Sequence, residues 1–232
     1  MNLTASPWSR AHWQQVQQKY CSERPQRRWH LWGKRWADLL LAGLGLVLIA
    51  PLLGVIAIAI RLSSPGPIFF VQERLGQYGQ SFQIYKFRTM VDGAVRLGAG
   101  LDTFEGDPRV TAVGKVLREY HLDELPQLFN VLRGEMSLVG PRPLLPSSLA
   151  TYQDWEKRRL LLPPGMTAWE AVQGGLLNTI DERIALDVWY VDHFTLWLDG
   201  WILLKTIPVV LAKEGVYGEN GSEKGRESQS RA

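Results

Sequence analysis

The chain has 232 residues, 46% of them hydrophobic, and carries 26 Lys and Arg against 23 Asp and Glu, a net charge of +3. That length holds one compact domain with a real core plus one or two appendages, and that apolar content excludes wholesale disorder. A mildly basic balance suits an anionic partner, a phospholipid surface or a phosphorylated substrate, and is too weak to choose between them; no nucleic-acid partner is expected.

The basic residues cluster early. Arg10, Lys19, Arg24, Arg27, Arg28, Lys34 and Arg35 face only Glu23 before Ala37. Next to an apolar segment, such a cluster predicts attraction to anionic lipid headgroups; a solvated basic tail is the plainer alternative. Cys21 is the one cysteine, so no intramolecular disulfide forms, which agrees with a reducing compartment. His12, His30, His121 and His193 are scattered, and no pair has the spacing of zinc ligands.

Residues 39–60 contain no charged or hydrogen-bonding side chain. The run is long enough to cross a bilayer, which takes about 20 helical residues. Trp29, Trp32 and Trp36 precede it, as interfacial anchors do. It is too long for a signal-peptide core. Pro51 lies inside it, where proline removes a backbone bond and kinks or breaks a helix. Positive charge flanks both ends, Lys34 and Arg35 before and Arg61, Arg74, Lys86 and Arg88 after, which favours keeping both ends on the cytoplasmic side. A re-entrant helix broken at Pro51 satisfies both facts; a kinked spanning helix is the alternative.

Residues 63–67 are turn chemistry. Residues 68–71 and 82–85 predict short strands, and 90–109 a surface loop with a short helix. Helices are expected over 113–120, 123–132, 145–161 and 181–193. The apolar stretch 194–212 fits an interfacial helix or a core helix equally. From Glu214 the polar, glycine-containing sequence predicts a disordered tail.

The stretch 118–143 carries the chemistry. Asp123 and Glu124 are adjacent, and Pro126 close behind predicts a helix starting near Asp123. A carboxylate there faces the positive end of the helix dipole and stays ionised, as a nucleophile or a magnesium ligand requires. A plain N-cap is the bland reading of the same residue. Lys86, Arg88, Arg118 and Arg142 are candidate phosphate contacts, and prolines on both sides of Arg142 restrict its backbone. No Walker loop and no Rossmann glycine fingerprint is present.

Gln72-x-Arg74-x-Gly76, the run from Tyr85 to Met90, Asp107-Pro108-Arg109, the run from Asp123 to Leu132 and the run from Gly134 to Pro143 stand in the order found in bacterial sugar transferases. Over residues 34–210 the chain resembles that family's small monotopic polyprenyl-phosphate phosphoglycosyl transferases. The resemblance implies an α/β, mostly helical fold: a re-entrant membrane helix and amphipathic interfacial helices on a small α/β catalytic core. It implies a membrane helix over 34–61 broken at Pro51 and a catalytic domain over 62–213; composition adds a basic extension over 1–33 and a disordered tail over 214–232. It implies Asp123 as nucleophile towards a UDP-sugar, Glu124 as the Mg²⁺ ligand, and Lys86, Arg88, Arg118, Arg142 and Asp187 as substrate contacts. The phospho-sugar passes to undecaprenyl phosphate and UMP leaves, on the cytoplasmic face of the bacterial inner membrane, with lipid as a further partner and homo-oligomerisation left open. The chain departs from the family at Ala50, where serine is common, and at Ala168, Glu170 and Gly175. Gly175 stands where the family has an arginine, which implies altered nucleotide-sugar contacts. A membrane-anchored scaffold in polysaccharide assembly is the non-enzymatic alternative.

Overall fold

A computed structural model describes residues 28–97, 100, 103–104 and 106–213. The basic extension up to residue 27 and the expected tail from 214 lie outside them. The described chain is mostly helical, with two small sheets. The long helix α1 (Arg28–Ser63) comes first. Strands β1 (Phe69–Leu75) and β2 (Ser81–Phe87) pair antiparallel, Phe69 opposite Phe87 and Leu75 opposite Ser81. Helices α2 (Ala112–Glu119) and α3 (Gln127–Arg133) follow. Strands β3 (Ser137–Val139) and β4 (Gly165–Thr167) pair in parallel. The short α4 (Trp169–Val172), then α5 (Ile180–His193) and α6 (Leu196–Leu211), complete the order.

α1 is, among the described residues, the one helix long and apolar enough to cross a membrane. Its two faces differ. One stripe packs on the rest of the molecule: Lys34, Asp38, Ala42, Leu46, Ile49, Leu53, Ile56 and Ile60, at the three- and four-residue steps of a single helical face. Ala42, Leu46 and Ile49 meet Leu128 and Val131 of α3, while Ile56 and Ile60 meet Phe87 and Leu117. The opposite stripe of Trp36, Leu40, Leu44, Val47, Leu48, Val55, Ile58 and Leu62 is exposed.

Two expectations change here. The helical backbone continues through Pro51, so the predicted break is absent. Proline forfeits one backbone bond, and Ile49 and Leu53 are packed on either side of it. Lys34 and Arg35 do not face headgroups either. Lys34 is buried, donating to Val139 O at 2.8 Å and to Asp199 of α6 at 2.6 Å. Arg35 donates to the last carbonyls of α3, Val131 O at 2.6 Å and Leu132 O at 2.9 Å. Cations suit that end of a helix.

The expected strands and the helices at 113–120 and 181–193 are present within a few residues. α5 opens on a capping box in which Thr179 and Glu182 each satisfy the other's backbone. The helix expected over 145–161 is instead two 3₁₀ segments, Pro146–Ala150 and Glu156–Leu161. Side chains compete for the backbone between them: Thr151 Oγ1 donates to Ser148 O, and the Glu156 carboxylate accepts from Gln153 N. α6 settles as a one-sided helix. Asp199 and Ile202 are buried, and Trp197, Leu204, Ile207 and Leu211 are exposed.

Candidate active site

The acidic pair lies between two short helices. α2 closes at Tyr120, and His121 then takes a left-handed conformation (φ 53°), its N–H reaching Arg118 O at 3.1 Å. Histidine tolerates that region better than branched residues do. A 3₁₀ turn, Leu122–Glu124, carries the two carboxylates, and α3 begins only after Pro126. The expected helix start at Asp123 is thus corrected by one turn. Proline stops backward growth of α3, and the dyad sits ahead of the helix rather than in its first turn.

Two contacts fix this turn against β2. Asn130 is fully buried; its Oδ1 accepts from Tyr85 N at 3.1 Å and its Nδ2 donates to Gln83 O at 2.7 Å. That locks α3 onto the strand bearing Lys86, whose Nζ meets Glu124 Oε1 at 2.5 Å. On the other side Gly114 permits a very close approach: a Cβ there would stand 1.9 Å from Thr89 O. One turn later, Arg118 Nε donates to Thr89 Oγ1 at 2.8 Å.

A cleft of about 420 Å³ opens at the dyad, bordered by Asp123, Glu124, Lys86, Arg74, Arg118 and Arg142. Four cations therefore face two carboxylates. The carboxylates are driven apart in acidity. Burial, and then the charge of Glu124, push Asp123 up to about 6 against the pull of Lys86, Arg118 and His121. Burial also opposes the charge of Glu124, but Lys86 and Arg142 outweigh it and hold that carboxyl at about 2. The helix-dipole account of Asp123 is thus replaced: both carboxyls answer to burial and to the charges around them.

Four of the expected site residues, Lys86, Arg118, Arg142 and Glu124, stand with Asp123 at the cleft. Arg88 borders it, but its guanidinium is engaged elsewhere. It donates to Pro65 O at 2.8 Å, Ser64 O at 2.7 Å and Ser64 Oγ at 2.9 Å, tying down the chain where it leaves α1. Arg88→Gln should therefore cost about 2 kcal/mol of stability, seen as a lower Tm, and leave the donor KM within about twofold. Asp187 is not at the cleft. It is buried and paired with Arg159 beside a separate cavity. Sequence reasoning passed over Arg74 and His121, both at the cleft. Arg74 was visible in the Gln72-x-Arg74-x-Gly76 motif; His121 gave no signal beyond its place before the dyad.

A second cavity of about 390 Å³ meets the first at His121, Glu124 and Arg142, with largely apolar walls from Leu125, Met166, Leu203, Val209 and Val210. No group of three or more metal-binding side chains occurs among the described residues. Two adjacent carboxylates, one held strongly ionised, still fit Mg²⁺, which takes one or two carboxylates and completes its shell with water and substrate phosphate.

A family model described as bacterial sugar transferase matches residues 29–213. The chain belongs to the bacterial sugar transferase family. Among its relatives is the UDP-N-acetylgalactosamine-undecaprenyl-phosphate N-acetylgalactosaminephosphotransferase of Aeromonas hydrophila, 41% identical over 192 residues, 78% of this chain and 44% of that protein. The undecaprenyl-phosphate glucose phosphotransferase of Komagataeibacter xylinus is 43% identical over 195 residues, 79% of this chain and 37% of that protein. The chain thus spans less than half the length of these two relatives. The UDP-glucose:undecaprenyl-phosphate glucose-1-phosphate transferase of Caulobacter vibrioides is 42% identical over 203 residues, 79% of this chain and 72% of that protein. The family match covers every cleft residue named above. Ala168, Glu170 and Gly175, the positions expected to differ from the family pattern, all line the second cavity and none borders the Asp123 cleft.

Proposed function

We propose that the chain transfers a phospho-sugar from a UDP-sugar to undecaprenyl phosphate, releasing UMP through an aspartyl phospho-sugar intermediate, as the first membrane step of a polysaccharide or glycoconjugate pathway. One observation carries this reading: the Asp123 carboxyl stands in a cleft with Lys86, Arg74, Arg118 and Arg142 around it. An anionic nucleophile approaches a diphosphate only where fixed cations offset the repulsion. Asp123 attacks the sugar-bearing phosphorus, the bond from that phosphorus to the bridging oxygen breaks, and UMP departs with the electron pair. A phosphate oxygen of the lipid then attacks the same phosphorus and the Asp123 carboxylate is restored. Arg142 and Lys86 hold the phosphates, and Glu124, with the substrate, would hold Mg²⁺, whose charge offsets that of the diphosphate.

The packing of α1 supports a one-sided, monotopic placement. Lys34 near its start and Ile60 near its end touch the same body. A helix crossing the bilayer would carry one of those ends away from it. The exposed stripe of α1 and the outer face of α6 then meet lipid. The departures at Ala168, Glu170 and Gly175 leave the cleft lining unchanged, which favours altered sugar choice over a silent scaffold.

The test is UMP release by the detergent-purified chain from a panel of UDP-sugars, with undecaprenyl phosphate and Mg²⁺. Release from at least one donor, dependent on both lipid phosphate and metal, is the expected result. No release across a broad panel would reject the reading in favour of the scaffold.

A further inference from the structure

Arg142 borders the cleft, the apolar cavity and a third cavity of about 550 Å³ behind it. Its side chain is only loosely held: it is 42% exposed, and the nearest carboxylate oxygen, Glu170 Oε1, stands 3.9 Å away. The backbone is held instead. Pro141 and Pro143 have no N–H, so the amide of Arg142 is the one backbone donor in the triplet. It donates to Asp187 Oδ2 at 3.3 Å. The carbonyl of Arg142 accepts from an Arg159 guanidinium nitrogen at 2.8 Å. That same nitrogen donates to that same Asp187 oxygen. A single ion pair therefore closes a ring over both polar groups of residue 142. The neighbouring carbonyls are tied as well, Pro141 O by Gly165 N at 3.0 Å, Pro143 O by Arg74 at 3.4 Å and Leu144 O by Leu75 N at 2.8 Å.

Stability alone is a poor reason for this pair. Both partners are buried, at 3% and 1% side-chain exposure. Removing two charges from water costs about as much as their attraction returns, and an apolar pair of equal volume often serves as well. The pair is also incompletely satisfied. Asp187 Oδ1 and Arg159 Nε have no hydrogen-bond partner. Apart from the Tyr152 hydroxyl, which accepts from Arg159 at 3.0 Å, the bonds the pair does make go to each other and to residue 142. We propose that the buried Arg159–Asp187 pair is a positioning device that aims Arg142 at the acidic dyad, not a substrate contact of its own. This rests on Arg142 serving the proposed transfer.

A double-mutant cycle tests it: wild type, Asp187→Asn, Arg142→Ala and the double variant, each read as kcat/KM for UMP release and as a melting curve. Positioning through Arg142 predicts that Asp187→Asn loses about tenfold or more in the wild-type background and less than about twofold once Arg142 is gone. Equal fold-losses in the two backgrounds would overturn the proposal, since a role confined to the fold is indifferent to Arg142. Should Asp187→Asn not fold, Arg159→Met takes its place; a thioether donates neither to the carboxylate nor to the Arg142 carbonyl, so the same dependence on Arg142 is expected. If neither variant folds, the pair is a folding element and the proposal falls. A wild-type chain that releases no UMP from any donor refutes the proposed activity instead. The cycle is then read on UMP affinity by calorimetry, where additivity again overturns the positioning role.

Discussion

Asp123→Asn should abolish UMP release, by at least about 10³-fold, and yet yield a protein that melts higher than wild type at neutral pH. The loss follows from chemistry: an amide cannot form the acyl phosphate. The gain follows from electrostatics. Burial and the adjacent Glu124 push the Asp123 carboxyl up to about 6 from an ordinary value of 3.8. A group whose pKa is raised on folding gives its full stability below the unfolded value and loses it as pH rises through the folded value. At pH 7 the ionised carboxylate therefore destabilises the fold, and asparagine removes that charge at nearly constant shape. Melting curves in EDTA should show the advantage of the variant growing between about pH 4 and 6 and absent below about pH 4. A variant that keeps wild-type UMP release would remove Asp123 from the chemistry. Loss of activity with a lower Tm would mean that Asp123 is a structural cap, the ordinary role of a carboxylate between two helices.

How far the sequence leads depends on how local the cause is. The strands around residues 69–87 and the helices at 112–119 and 180–193 follow from alternation, capping residues and helical periodicity, all of which act within a few residues. The dyad was legible for a different reason: the residues alone fit a plain N-cap at Asp123, and the order of motifs shared with bacterial sugar transferases is what pointed to chemistry there. What stayed hidden were pairings across the chain. Arg88 has the composition of a phosphate ligand, and only the fold shows that the chain leaving α1 lies within its reach. Asp187 follows the same logic, because its partner Arg159 is 28 residues away. Lys34 pairs with Asp199 over a separation of 165 residues, which no window of sequence can anticipate. Pro51 shows the converse error. The local rule for proline is sound, but packing along the whole inner stripe of α1 holds the helix together.

The exposed stripe opposite it is the face proposed to meet lipid. Replacing Leu44, Leu48 and Val55 with aspartate should move the chain from the membrane fraction to the soluble fraction without unfolding it. These side chains are 59%, 70% and 64% exposed, so they contribute nothing to the packed face of α1. In water the substitutions are close to neutral. In hydrocarbon each aspartate costs about 3 kcal/mol near the centre of an embedded helix, which for three amounts to roughly 9 kcal/mol against partition into lipid. The matching control replaces Ala42, fully buried against α3, with aspartate. That change should unfold the chain, because it leaves an unpaired charge in the core. Sedimentation of lysates after carbonate and salt washes separates the outcomes. A triple variant that stays folded and membrane-bound would mean that lipid does not contact this face of α1, and the outer surface of α6 with Trp197 and Leu204 would then have to bear the attachment alone. A triple variant that is soluble, folded and able to cleave UDP-sugar to UMP in a single turnover, but unable to pass the sugar to lipid, would separate the two halves of the reaction. That outcome would assign the aspartyl intermediate to the cleft and the acceptor step to the lipid surface met by α1.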